Sequence, residues 1–305
     1  EQTQTTNAGL DYGFANNRIT GSIDVYFKKT KDLLNNIPIP AGSNFSSTIL
    51  TNVGNIENKG IEFLINATAL KTKKITWDIS FNAAYNKNEI TNLTATKDST
   101  FPGSKVGNTQ IHSVGYEPYA FFVYHQQYDK TGKPIEGVYA DMNSDGLINE
   151  NDLYRYKSPA PKYIFGFSTQ FNYDKWTLST VLRANVGNYM YNALATGAVQ
   201  SNVLNTLGYL ANSLSELQKS GFVYGQQFSD YYVQNASFLK MDNIALSYDF
   251  GKVINKKVGL RLSAICQNVF TVTNYTGIDP EIGSGIDNGL YPRPRNFALN
   301  LNLKF

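Results

Sequence analysis

The chain closes on Arg293-Pro-Arg-Asn-Phe-Ala-Leu-Asn-Leu-Asn-Leu-Lys-Phe305, and from Asn296 onward its residues alternate without a miss. Phe297, Leu299, Leu301, Leu303 and Phe305 share one row; Asn296, Ala298, Asn300, Asn302 and Lys304 share the other. Successive side chains of a strand face opposite sides, so this is a strand with one apolar face. Ending inside a strand, on an aromatic of the apolar row, reads as the closing strand of an outer-membrane barrel.

The same period-2 pattern, bounded by turn residues, predicts strands at 4–14, 19–32, 56–70, 75–90, 119–128, 163–173, 176–187, 236–250, 258–270 and 294–305. Rows such as Ile23, Val25, Phe27 and Trp77, Ile79, Phe81 stand opposite Ser22, Asp24 and Asp78, Ser80, Asn82. The connections alternate in length. Ala15–Arg18, Lys71–Lys74, Asp174-Lys175 and Gly251–Lys257 are short, whereas 33–55, 91–104, 129–162, 188–235 and 271–293 are long. Short turns on one rim and long loops on the other mark an outer-membrane barrel.

Parity demands an even number of strands between 75–90 and 163–173, and only one is predicted there. A short strand near 105–114, carrying Ile111 and Val114 and turning at Gly115-Tyr-Glu-Pro118, restores it. The expectation is therefore an all-β transmembrane antiparallel barrel fold with eleven strands in 1–305 and no second domain. Eleven is odd, while single-chain bacterial barrels have even counts. Open edges in lipid would leave backbone groups unpaired at several kcal/mol each. The reading is the C-terminal half of a larger barrel of about 22 strands, with an odd number of strands before Glu1. Glu1 is not an initiator, which suits a processed product or a piece of a longer chain.

Composition agrees. The 305 residues include 21 Tyr, 18 Phe and 2 Trp, which favour strands over helices. No apolar window is long enough for a transmembrane helix, so a barrel is the remaining way to span lipid. Tyr12, Phe14, Tyr26, Trp77, Tyr85, Tyr173, Trp176, Tyr248, Phe250 and Phe305 sit near strand ends as candidates for interfacial girdles. A soluble barrel would turn its apolar face inward and need no such ends. Net charge is only +3, and the densest basic cluster, Lys71-Thr-Lys-Lys74, reads as a solvated turn, so nucleic acid is not an expected partner. Cys266, alone in the chain, reads as an inert structural thiol on an apolar row.

The sharpest local motif is Asp141-Met-Asn-Ser-Asp-Gly-Leu-Ile-Asn-Glu-Asn-Asp152. Asp141, Asn143, Asp145, the Leu147 carbonyl, Asn149 and Asp152 occupy positions 1, 3, 5, 7, 9 and 12 of a calcium loop, with Gly146 at its sharp turn. Asp152 stands where an EF-hand has Glu, and no flanking helices are evident. Bound Ca²⁺ in a structural role is expected; the bland alternative is an Asx-rich turn without an ion. His112 and His125 have no evident nucleophile or zinc partner and read as wall histidines, so no catalytic residue and no enzyme is expected. Tyr189, Tyr191, Tyr231 and Tyr232 in the longest loop suit ligand stacking if exposed and loop packing otherwise.

Three segments carry a resemblance: Asn52-Val-Gly-Asn-Ile-Glu-Asn-Lys-Gly-Ile-Glu62, the Asp141–Asp152 loop followed by Pro159-Ala-Pro161, and Thr276-Gly-Ile-Asp-Pro-Glu281 leading to Tyr291-Pro-Arg-Pro-Arg295. In this order they resemble the SusC/RagA family of TonB-dependent outer-membrane transporters of Bacteroidota. The resemblance implies import of glycan or peptide fragments through a plugged 22-stranded barrel in the outer membrane. It also implies a SusD-like surface lipoprotein as lid, and energy from TonB-ExbB-ExbD acting through a plug and TonB box. Nothing in 1–305 resembles those last two parts, so the partner expected first is an N-terminal half of the same barrel with its plug. A passive pore or surface-binding barrel without energy coupling is the alternative.

Overall fold

The computed structural model describes residues 1–38, 45–46, 48–94, 101–203, 208–253 and 258–305. In chain order its strands are β1 (Gln2–Phe14), β2 (Ile19–Pro38), β3 (Thr48–Lys71), β4 (Ile75–Asn92), β5 (Ser104–Val106), β6 (Gln110–His112), β7 (Ala120–Val123), β8 (Gln126–Tyr128), β9 (Pro134–Tyr139) and β10 (Tyr154–Arg155). They continue as β11 (Tyr163–Tyr173), β12 (Trp176–Val186), β13 (Tyr189–Asn192), β14 (Val233–Asn235), β15 (Phe238–Val253), β16 (Val258–Thr273), β17 (Ile286–Asp287) and β18 (Asn296–Lys304).

Nine of these form the wall, an antiparallel sheet in the order β1-β2-β3-β4-β11-β12-β15-β16-β18. Its closing strand runs antiparallel to β16, with Leu260 opposite Leu303 and Ala264 opposite Leu299. The expected apolar rows point out of the sheet into the surroundings: Val25, Trp77, Leu246, Phe297, Leu299 and Leu301 are all exposed. The opposite rows line a polar concavity, where Thr20, Asn66, Asp78, Ser80, Ser168, Gln170 and Ser179 gather. Apolar out and polar in is the polarity of a sheet solvated by lipid.

The expected eleven wall strands are corrected to nine. Segments 105–114 and 119–128 each split into two short strands; β5, β6, β7 and β10 make a separate four-stranded sheet, β8 pairs with β9, and β4 pairs directly with β11 along its length. Parity between those two wall strands is satisfied by zero intervening strands. The physical difference lies in burial. Ile111, Phe121 and Val123 are enclosed by protein, whereas a wall strand leaves alternate residues open to lipid. The described residues between β4 and β11 thus belong to one long connection, and those from 101 to 162 fold on themselves.

Connection 33–55 is also corrected. Leu33–Pro38 and Thr48–Asn55 continue β2 and β3, which reach 20 and 24 residues. A strand needs only about 9–11 residues to cross the hydrocarbon, so this pair rises well beyond the membrane. Residues 39–44 and 47 lie outside the described part, as do 254–257 of the turn expected at Gly251–Lys257. The other short turns stand as expected, at 15–18, 72–74 and 174–175.

Most of the girdle aromatics lie on the outer rows. Phe14, Trp77, Tyr85, Tyr173, Trp176 and Phe250 are exposed, and Trp176 packs on Tyr248 with centroids 4.7 Å apart. Tyr26 is the correction: it alternates with Val25 and Phe27 and lies on the inner row, its ring across Gly60. Tyr12 shows the same device on the outer row. It crosses Gly21 and donates to the Leu64 carbonyl at 3.0 Å, and a Cβ at Gly21 would lie 2.4 Å from its Oη. Only glycine admits so close a ring.

Candidate functional site at the channel mouth

The long connections on one rim assemble a lobe, and the protein's apolar core lies there rather than in the wall. Phe121, Val123, Tyr191, Ala195, Val199, Phe222, Tyr232 and Val233, drawn from β7, β13, β14 and their loops, form one buried cluster. Tyr191 and Tyr232 are each 1% exposed, so they pack the lobe and are closed to ligand stacking. Tyr189 and Tyr231 flank the same cluster.

Neither histidine is a wall residue, which corrects that expectation. His125 follows β7 in the lobe, and its Nδ1 lies 2.6 Å from Asp230 Oδ2, which also accepts from Tyr154 Oη at 2.7 Å. Asp230 Oδ1 accepts from the Gln126 N–H, so this carboxylate ties two long loops together. His112 ends β6; its Nε2 is buried with no partner, and burial pushes the ring's pKa down.

The Asp141–Asp152 loop lies on the exposed side of the lobe. Asp141 accepts from the Asp145 and Gly146 N–H groups at 3.3 and 2.8 Å, and Gly146 makes the turn at φ +81°. Asn143 Nδ2 donates to Asp145 Oδ2 at 2.8 Å, and Asp145 Oδ1 accepts from the Leu147 N–H. Asn149 caps the short 3-10 turn Glu150–Asp152 by accepting from the Asn151 N–H. Asp152 is wholly buried; the Asn149 and Met142 N–H groups bond its two oxygens at 2.8 Å and hold its carboxyl below the usual range. The donors are all oxygens, which suits a hard cation in kind. Among the described residues, however, no three acidic, His or Cys side chains converge as a metal cage.

The feature that sequence reasoning missed lies in the lumen, where the wall meets the connection 274–295. Arg183 of β12 bonds Asp242 of β15 at 2.5 Å and grips both oxygens of Glu281. Lys240 of β15, 3% exposed, lies 2.8 Å from Asp279 and 3.1 Å from Glu281. Arg293 reaches Asp279 at 2.9 Å and Glu281 at 3.3 Å. Both wall cations also sit over the Phe238 ring, at 5.0 Å for Lys240 and 5.7 Å for Arg183. Burial pushes the Glu281 carboxyl up, but bonds from Arg183 and Lys240 outweigh it and hold it down at about 2. Three cations and three carboxylates therefore pin this loop to the lumenal wall. The signal was present in Asp279-Pro-Glu281, but its wall partners Lys240 and Arg183 lie 39 and 98 positions away in sequence.

A one-sided apolar wall, a polar lumen and long loops folded over one rim are the geometry of an outer-membrane receptor barrel. Residues 1–269 match the sequence model of the TonB dependent receptor-like β-barrel family. The chain belongs to that family. Over its whole length it is 44% identical to the TonB-dependent receptor SusC of Bacteroides thetaiotaomicron, covering 32% of that protein, and 29% identical to TonB-dependent receptor P3 of Formosa agariphila, covering 34%. It also superposes on a structure of the RagAB peptide importer in its open-open state, with a TM-score of 0.80 at 26% identity, over 99% of this chain and 34% of that one. The chain thus spans about a third of the length of these relatives. As a TonB-dependent receptor barrel it is an integral outer-membrane protein, and its family consists of receptors, not enzymes.

Proposed function

We propose that this receptor barrel serves nutrient import: the nine-stranded sheet is part of the wall of a larger barrel that takes up oligosaccharides or oligopeptides with TonB-derived energy. The supporting observation is its polarity, with apolar rows outward, a polar concavity and the folded core displaced into mouth loops that a substrate must pass. The similarity to SusC and to the RagAB importer supports the same reading. In this proposal the rest of the barrel with its plug pairs with the free edges of β1 and β18. TonB-ExbB-ExbD acts through the plug, and a SusD-like lipoprotein covers the lobe. Cells that carry the full-length receptor should lose uptake of its substrate when TonB is deleted. Unchanged uptake after that deletion would replace the proposal with a passive pore.

We further propose that Ca²⁺ stiffens the lobe through Asp141, Asn143, Asp145, the Leu147 carbonyl, Asn149 and Asp152. The all-oxygen donor set and the Gly146 turn support it; Asp152 must exchange its bonds with Met142 and Asn149 to take part. Calorimetric titration of the chelator-treated full-length receptor should register about one high-affinity Ca²⁺ per chain at this loop, lost in Asp145→Ala. No uptake of Ca²⁺, or uptake untouched by the substitution, leaves the Asx-rich turn as the reading.

A further inference from the structure

The short-turn rim is basic beside a groove in the outer face of the wall. Three successive turns carry Lys71, Lys73 and Lys74, then Lys175, then Lys252, against two acids, Asp174 and Asp249. The turns lie side by side: the Asp174 N–H donates to the Lys74 carbonyl at 2.8 Å, and the Asp249 N–H to the Lys175 carbonyl at 2.9 Å. Asp249 belongs to the inner row, opposite Arg261, and its Oδ1 already accepts from the Gly251 N–H at 2.7 Å. Each of the lysines is exposed. Among the described residues, the lysines in ion pairs are Lys29, Lys87, Lys105, Lys219 and Lys240, and none of these stands on the short-turn rim. The rim thus holds unneutralised positive charge at the level of the membrane headgroups.

The groove has a volume of about 400 Å³. On its rim side it is aromatic: the Trp176 and Tyr248 centroids are 4.7 Å apart, and Phe250 packs edge-on against Tyr248, also at 4.7 Å. Its floor is Leu246, Leu262 and Leu299, and it dips at Ala264, which stands opposite both Leu246 and Leu299 in register. A lone methyl group among leucines leaves open the space that a longer side chain on the same row would fill. Trp176 directly follows Lys175, so groove and lysines are contiguous.

The aromatic side also keeps two donors in reserve. Trp77, another aromatic of this rim, donates its indole N–H to Thr169 Oγ1 at 2.8 Å. Among the described residues, no protein acceptor takes the Trp176 indole N–H or the Tyr248 hydroxyl. Donors of this kind meet polar groups where an apolar layer ends.

We propose that this face binds a phospholipid with an anionic headgroup from the periplasmic leaflet. Lys175, Lys252 and the Lys73-Lys74 turn hold its phosphate, and one acyl chain lies in the groove past Trp176 and Tyr248. The leaflet follows from the rim, since short turns are the periplasmic ones. The two parts have different tasks. Lipid tails are as apolar as leucine, so the groove accepts the tail of any phospholipid and gives position without selectivity. Charge selects: lysines near the headgroup plane attract anionic lipids, and salt screens the attraction. A zwitterionic headgroup brings its own ammonium and gains little. The placement rests on the outer-membrane location of the family and is independent of import.

The test uses the full-length receptor in a nonionic detergent, titrated with dioleoyl phosphatidylglycerol and separately with dioleoyl phosphatidylcholine, with bound lipid counted by native mass spectrometry. Phosphatidylglycerol should bind about tenfold or more tightly than phosphatidylcholine at low salt, and the preference should shrink as salt is raised. Lys175→Gln combined with Lys252→Gln should weaken phosphatidylglycerol by about fivefold or more and leave phosphatidylcholine within about twofold. Lys31→Gln combined with Lys130→Gln removes the same charge from the long-loop side and should leave both lipids within about twofold. Ala264→Trp fills the groove without touching a charge and should weaken both lipids. The two lysine variants alter exposed side chains only and should unfold at the parent's temperature, which separates lost binding from lost fold. The proposal is overturned if the two lipids bind alike, or if either the rim lysine variant or Ala264→Trp binds phosphatidylglycerol as the parent does. It is equally overturned if the long-loop variant loses as much as the rim variant, or if inorganic phosphate alone displaces the lipid.

Discussion

Lys240 is the residue on which the mouth depends most directly. It is almost fully buried between Asp279, Glu281 and the Phe238 ring. Replacing it by Met leaves two carboxylates with less compensation, and breaking a buried ion pair costs about 3–5 kcal/mol. Lys240→Met should lower the urea midpoint of the full-length receptor in detergent accordingly. Glu281 adds a pH dependence with a definite sign. Its carboxyl is depressed from 4.5 to about 2 in the fold. The group therefore contributes stability that is complete above the unfolded value and is lost as pH falls from about 4.5 through about 2. Unfolding midpoints across that window should fall for the parent and fall less for Glu281→Gln, which starts lower. In the sequence Glu281 stands out only as the end of the Thr276–Glu281 segment, and Lys240 does not stand out at all. No local pattern reveals that Glu281 meets Arg183, because an ion pair needs proximity in space and leaves no period in the chain.

At the scale of the element, β18 carries the clearest prediction. Leu301 stands on the outer row and Asn300 on the inner one, opposite Leu262 and Ser263 of β16. A Lys on the lipid face near the bilayer centre costs about 2–4 kcal/mol. Leu301→Lys should thus sharply reduce the folded fraction in a heat-modifiability assay on gels, while Asn300→Lys, facing the lumen, stays within about 0.5 kcal/mol of the parent. Equal damage from both would contradict the assigned faces. For such strands the pattern in the sequence was enough: β11 was predicted at 163–173 and observed at Tyr163–Tyr173. Segments 105–114 and 119–128 were predicted as one strand each, and each instead breaks into two short strands, β5 with β6 and β7 with β8. Their place was misread, because alternation of apolar and polar residues does not say what covers the apolar side.

The whole molecule orders its connections on two rims, and that arrangement can be tested from outside the cell. The turn at 15–18 joins β1 to β2 on the short-turn rim, while the turn closing β8 onto β9 at Lys130–Gly132 lies in the lobe. An epitope inserted at Lys130 of the full-length receptor should be labelled by antibody on intact cells, and one at Asn16 only after the outer membrane is permeabilised. Labelling at both sites on intact cells would break the topology.

Read alone, the sequence determined the faces: which residues of each wall strand meet lipid, which meet the lumen, and where the short turns fall. Those properties depend on neighbours two positions apart, and a period of two records them. Tertiary structure decided which strands make the wall, that β4 skips seventy positions to pair with β11, and that six distant charges close on one another beneath the mouth. Pairing between strands far apart in sequence is set by which edges and loops can be satisfied together, and that is a property of the assembled fold.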